Sequence, residues 1–135
     1  MPTHFPVTSQ LIKMIKNFLI VAAGGGLGAV LRFGSSELIR TGNFPAATLL
    51  INMTGSFAIG IIMALHLKMT GGINEQWKLF LATGICGGFT TFSAFSYENL
   101  QLLQSGKFNT AFAYIISSVL LGLLAVYTGF KLFNT

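Results

Sequence analysis

Residues 84–98 read Gly-Ile-Cys-Gly-Gly-Phe-Thr-Thr-Phe-Ser-Ala-Phe-Ser-Tyr-Glu. The stretch puts glycines, hydroxyls and phenylalanines inside an apolar segment, a mixture for which a plain membrane anchor has no use. The surrounding chain is 53% hydrophobic and only 8% charged, with a mean hydropathy of +0.72. Water would not keep such a chain folded as a monomer, and the natural solvent is a bilayer. A span needs roughly 20 mainly apolar residues, and four windows supply them, about 18–39, 44–67, 77–103 and 111–133. The expectation is an all-α membrane protein, a single transmembrane domain over residues 1–135 with four transmembrane helices. Its function must then lie within the membrane part, because these windows leave no room for a soluble catalytic domain.

Turn residues mark the connections. Thr41-Gly42-Asn43-Phe44-Pro45 closes the first helix and opens the second, with Pro45 suited to a first turn. Thr70-Gly71-Gly72-Ile73-Asn74 and Ser105-Gly106-Lys107 form the other two links. Links this short make helices adjacent in sequence antiparallel neighbours.

Eight Lys plus Arg stand against three acids, but they are spread singly, which argues against a nucleic-acid partner. Topology is the better use of these charges. Lys13, Lys16, Lys68, Lys78 and Lys131 fall on the side of the amino terminus, and Arg40 and Lys107 on the other, with Arg32 still inside the first span. That is a modest lean toward an amino terminus inside the cell. Lys13 and Lys16 followed by Phe18-Leu19-Ile20-Val21-Ala22-Ala23 look like the start of a signal peptide, yet the apolar pattern continues through Gly28, Ala29, Val30 and Leu31, as an uncleaved span would. The single cysteine, Cys86, excludes an intramolecular disulfide and a cysteine-based metal cluster.

Enzymatic chemistry finds little support. The histidines are His4 and His66, the acids Glu37, Glu75 and Glu98 lie far apart, and no HExxH pattern occurs. Gly24-x-Gly26-x-x-Ala29 matches a dinucleotide fingerprint, but that motif needs a strand before it and a βαβ unit around it. Helix contact is the physical alternative: Gly24 with Gly28, and Gly84 with Gly88, are GxxxG pairs that let helices approach closely in lipid.

Polar residues inside spans face protein or water, because an unpaired polar group in hydrocarbon costs several kcal/mol. Thr48, Asn52 and Ser56 recur at intervals of four and form one stripe; Tyr114, Ser118 and Gly122 repeat the interval on the fourth span. A lone hydroxyl can bond back to its own helix, whereas the Asn52 amide needs several partners. Two stripes on different helices suggest a shared polar path. Gly84, Gly87 and Gly88 followed by Thr90 and Thr91 predict a local loss of helix in the third span. Such a break is tolerated at membrane depth where it is buried in protein or lines a cavity. Freed carbonyls there suit a hard cation such as sodium, freed amides suit an anion, and a kink used only for packing is the third reading. Phe92 and Phe95 share a face of the resumed helix, where positive ring edges could meet a small anion. Glu98 is the one acid clearly inside the spans, a functional candidate by its depth.

At these residues the chain resembles the Fluc (CrcB-type) fluoride channels of bacteria. The resemblance rests on three motifs in order: residues 24–33 from Gly24 to Phe33, residues 48–57 from Thr48 to Phe57, and residues 84–98 from Gly84 to Glu98. It implies an antiparallel, dual-topology homodimer in the bacterial inner membrane, with two fluoride pores and a structural sodium ion at the dimer interface. Carried to matching positions, Asn52, Phe92, Phe95 and Tyr114 would line the pore, with Thr48, Ser118 and Glu98 along a polar track. Gly87 and Thr90 would give backbone carbonyls to sodium, Arg32 would be the family's membrane-edge arginine, and Gly24 and Gly28 would be structural. Gly122 departs from the family where some members carry a third hydroxyl. The implied function is passive, fluoride-selective export that lowers fluoride toxicity, with no organic cofactor. The runner-up is a small multidrug-resistance-type, proton-coupled cation exporter, which wants a membrane carboxylate in the first helix; Glu37, near the end of that span, fits it poorly.

Overall fold

The computed structural model describes residues 7–39, 42, 44–68 and 71–134. The turn residues Thr41, Asn43 and Thr70, the charge of Arg40 and the tail histidine His4 lie outside the described residues. Regular structure among those described is helical throughout: α1 (Val7–Leu38), α2 (Ala46–Leu67) and α6 (Phe108–Phe133) are continuous. Between α2 and α6 the chain runs through α3 (Glu75–Lys78), a wider π-helical run (Leu79–Cys86), α4 (Gly87–Phe89) and α5 (Phe92–Gln104). Four segments are long and apolar enough to cross a membrane, the third being Glu75–Gln104.

α1 starts at Val7, well before the apolar window at Phe18. Gln10, Leu11, Lys13, Met14 and Lys16 are good helix formers whatever their polarity, so the helix continues where hydropathy stops. Its 32 residues span about 48 Å at 1.5 Å per residue, longer than a hydrocarbon core of about 30 Å. The third span starts at a capped end, with Asn74 Oδ1 accepting the Trp77 N–H at 3.0 Å. α5 ends in a Schellman turn: the Lys107 N–H donates to Leu102 O at 2.9 Å and the Gly106 N–H to Leu103 O at 3.1 Å. Gly106 sits there at φ +73, a conformation that glycine adopts at no steric cost.

Two glycine seams hold the bundle. α1 packs along the third span and α2 along α6. A Cβ at Gly24 would lie 2.5 Å from the Phe80 carbonyl oxygen and 2.9 Å from Gly84 Cα, so the backbones touch where the GxxxG spacing places them. Gly28 and Gly88 extend the seam against Ile85 and Gly25. On the other pair, Gly60 meets the backbone of Val126 and Phe130, and Gly129 that of Phe57 and Ile61. With so little side chain between helices, large apolar residues such as Val30, Phe33, Leu120 and Leu123 stay exposed on the outside, as lipid-facing surfaces require.

Candidate functional site

α4 ends at Phe89 and α5 starts at Phe92, with Thr90 at φ −78, ψ 157 and Thr91 at φ −151, ψ 116 between them. Asn52, one span away on α2, grips this extended pair. Its Oδ1 accepts the Thr91 N–H at 2.8 Å and its Nδ2 donates to Thr91 O at 3.2 Å. One side chain thus replaces the sheet-like partner that an extended residue lacks in lipid, and the second N–H of its amide remains a donor.

The carbonyls before the break divide between donors. Cys86 O accepts both the Thr90 N–H and the Thr90 hydroxyl, each at 2.9 Å. Gly88 O accepts from Arg32 Nε at 3.1 Å. In an unbroken helix Gly87 O would take the Thr91 N–H and Thr90 O the Ala94 N–H. The first of these amides goes to Asn52, and the second to Thr91 Oγ1 at 3.2 Å. Gly87 and Thr90, the two residues that the resemblance assigns to sodium, therefore present carbonyls released from their helical donors. A cavity of about 300 Å³ lies against them, lined also by Asn52, Ser56, Cys86 and Phe92.

A second polar group forms farther along α5. Thr48 Oγ1 donates to Glu98 Oε1 at 2.6 Å and Tyr114 OH to Glu98 Oε2 at 2.7 Å. Both carboxyl oxygens act as acceptors, and three helices meet at one acid. Tyr114 is fully buried, packed edge-on by Phe44 with centroids 5.6 Å apart and against Phe95 at 5.0 Å. Phe95 in turn contacts Phe92 at 5.6 Å. The rings thereby join the Asn52 group to the Glu98 group along one side of α5. Beyond Glu98 opens a polar cavity of about 510 Å³ lined by Ser36, Gln101, Ser105 and Lys107.

The expected residues are not all gathered. Thr48, Glu98, Tyr114 and Phe95 converge, as do Asn52, Gly87, Thr90 and Phe92. Ser118 Oγ is buried without a hydrogen-bond partner, and Gly122 faces Ser56, whose Oγ would stand 3.9 Å from an added Cβ. Phe92 is 79% exposed, so one chain does not enclose it. Arg32, which the resemblance assigns to the membrane edge, here caps the helix end at Gly88. Sequence reasoning missed Asn99, buried with its Nδ2 on Phe95 O at 2.8 Å and its Oδ1 unpartnered. An amide within an apolar span was the available signal.

Four apolar helices enclosing two polar groups and a break define a multi-pass membrane protein. Residues 19–130 match the sequence model of the CrcB-like protein family, described as camphor resistance (CrcB), and the chain belongs to that family. It is 45% identical over 122 residues to the fluoride-specific ion channel FluC of Azobacteroides pseudotrichonymphae genomovar. CFP2, covering 88% of this chain and 97% of that protein. It is 43% identical over 121 residues to a FluC of Thermus thermophilus, covering 87% and 95%. To that of Flavobacterium psychrophilum it is 46% identical over 118 residues, covering 85% and 94%.

Proposed function

We propose that this chain is a fluoride-selective passive channel, not an enzyme, which lets fluoride leave the bacterial cytoplasm across the inner membrane and so lowers its toxicity. The observation that carries the reading is the full-length likeness to proteins named fluoride-specific ion channels, which spans the Asn52 break and the Glu98 group alike. Fluoride enters a cell as its neutral weak acid, ionises and is trapped; an anion pore lets the membrane potential drive it out. A small, strongly hydrated anion must exchange water for donors. The free N–H of Asn52 and the positive ring edges of Phe92 and Phe95 offer them, and Ser118, whose hydroxyl has no partner, would add another farther along α6. At rest the Thr48 and Tyr114 hydroxyls donate their hydrogen bonds to Glu98, and either would serve the ion by turning from that carboxyl group.

The pore is completed by a second copy. Phe92 is exposed on one chain at the edge of the cavity beside Asn52, and we assign the surface that covers it to an antiparallel homodimer of dual topology in the lipid bilayer. The third span then functions as a broken helix. At its break Gly87 and Thr90 would hold a sodium ion, since released carbonyl oxygens suit a hard cation. Each copy brings two carbonyls, so a pair completes a set that one chain lacks. When bound, the ion supplies positive charge and a tie across the interface. The multidrug-exporter reading has no support: Glu37, the carboxylate it would need, is exposed at the end of α1.

Liposomes loaded with fluoride and carrying this protein should empty rapidly on a fluoride electrode while chloride is retained. A trace no faster than that of protein-free liposomes would sink the reading.

A further inference from the structure

The start of α1 lies beside the start of the third span, and two cavities there play no part in the ion path. One, of about 350 Å³, is lined by Lys16, Ile20, Asn74, Gln76, Trp77 and Phe80. The other, of about 530 Å³, shares Lys16, Ile20 and Phe80 and continues between apolar side chains that include Ile12 and Leu19. Together they make one groove with a polar head and an apolar tail. We propose that this groove binds an anionic phospholipid of the leaflet that faces the amino-terminal end of α1, with its phosphate at Lys16 and the Asn74 and Gln76 amides and an acyl chain along Ile12, Leu19 and Phe80.

Charge favours that occupant. Glu75, the acid nearest the head, is already engaged, with Lys78 Nζ at 2.8 Å and His66 Nε2 at 3.5 Å. With Glu75 neutralised by Lys78, Lys16 leaves one net positive charge to attract an anion to the head. Basic pockets between transmembrane helices take anionic head groups. Asn74 spends its Oδ1 on the Trp77 N–H, which leaves its amide N–H groups to donate to a phosphate. Trp77 is 54% exposed at the end of its span, the depth of the interfacial aromatic belt. Below it the tail is apolar, which excludes a free phosphate as the resident ligand and favours a molecule that carries both parts.

Trp77 is the only tryptophan in the chain, so its fluorescence reports from the groove itself. The full chain is reconstituted in phosphatidylcholine vesicles and titrated with chain-brominated phosphatidylglycerol or chain-brominated phosphatidylcholine. The anionic lipid should quench with about fivefold higher apparent affinity, the factor that corresponds to ~1 kcal/mol per lysine near the surface. Lys16→Gln should bring the ratio close to one, while Lys107→Gln, at the opposite end of the bundle, should leave it unchanged. Equal quenching by the two lipids in the native chain, or a preference that survives Lys16→Gln, overturns the proposal. Trp77 shielded from both lipids would mean that a second copy covers the groove, which overturns it as well. The quenching readout does not depend on which ion the protein conducts.

Discussion

Replacing Asn52 by alanine removes both hydrogen bonds that hold Thr91, and leaves a backbone N–H and a C=O unpaired at membrane depth. Each such group costs about 1–3 kcal/mol, so the pair sets a gross loss on the order of 2–6 kcal/mol. The cavity of about 300 Å³ beside them has room for water, which would recover part of that loss. A net cost of ~2 kcal/mol at the break is the expected result, which at tenfold per 1.4 kcal/mol is about thirtyfold in an opening equilibrium. Hydrogen exchange at the Thr91 amide reads that equilibrium directly. It should accelerate about thirtyfold in Asn52→Ala, with a smaller rise at Ala94, whose N–H depends on Thr91 Oγ1. Ile62, on the same helix but packed against Ala82 and Cys86, should not change. Asn52→Asp supplies a sharper control, because only the protonated acid can both accept from the Thr91 N–H and donate to its carbonyl. Its excess exchange, corrected for the intrinsic rate, should therefore shrink as pH falls. Thr91 exchange unaltered in Asn52→Ala would refute the reasoning and leave the break held by something else.

Three further outcomes follow from the packing. Gly24→Ala should cost about 1–3 kcal/mol in a denaturant titration, because a Cβ there meets backbone atoms of Phe80 and Gly84 that cannot step aside; Gly26→Ala, which meets nothing within 4 Å, should be neutral or stabilising by up to about 1 kcal/mol, and equal costs at both sites would discard the seam. Arg32→Gln should lower the thermal midpoint by the equivalent of about 1–2 kcal/mol through loss of the bond to Gly88 O, with Arg32→Lys recovering only part because a lysine has no Nε–H in that plane. Phe92→Ile and Phe95→Ile should both slow fluoride efflux sharply, but only Phe95→Ile should also lower thermal stability, by ~1 kcal/mol, since it alone of the two packs on Tyr114; unchanged efflux in both would reduce the rings to packing.

Hydropathy alone located the four helices, because in lipid the length and polarity of a segment dictate its state. It placed the first boundary at Phe18 instead of Val7 because Lys13 and Lys16 end the apolar run without ending the helix. The Gly24/Gly28 and Gly84/Gly88 spacings forecast close approach of two helices: Gly24 lies against Gly84, while Gly28 lies against Ile85 and Gly88 against Gly25. The Gly60 and Gly129 seam had the same chemistry but no second glycine four residues away, and it emerges only once α2 lies on α6. The stripe of Thr48, Asn52 and Ser56 was visible as a face, yet its members do unlike things: Thr48 binds Glu98, Asn52 binds Thr91 and Ser56 faces Gly122. Nothing local to Asn52 specifies a partner 39 residues on. That pairing is a property of the assembled helices, as are the convergence on Glu98 and the unpartnered Asn99 Oδ1.

The Asn52 clamp also carries information about biogenesis. α5 takes its starting point from an extended residue whose backbone bonds are supplied by another helix. Until α2 and the third span lie side by side, Thr90 and Thr91 can satisfy their own amides most cheaply by staying helical. The third span would accordingly enter the bilayer as a continuous helix, and the extended pair would form only after α2 packs beside it.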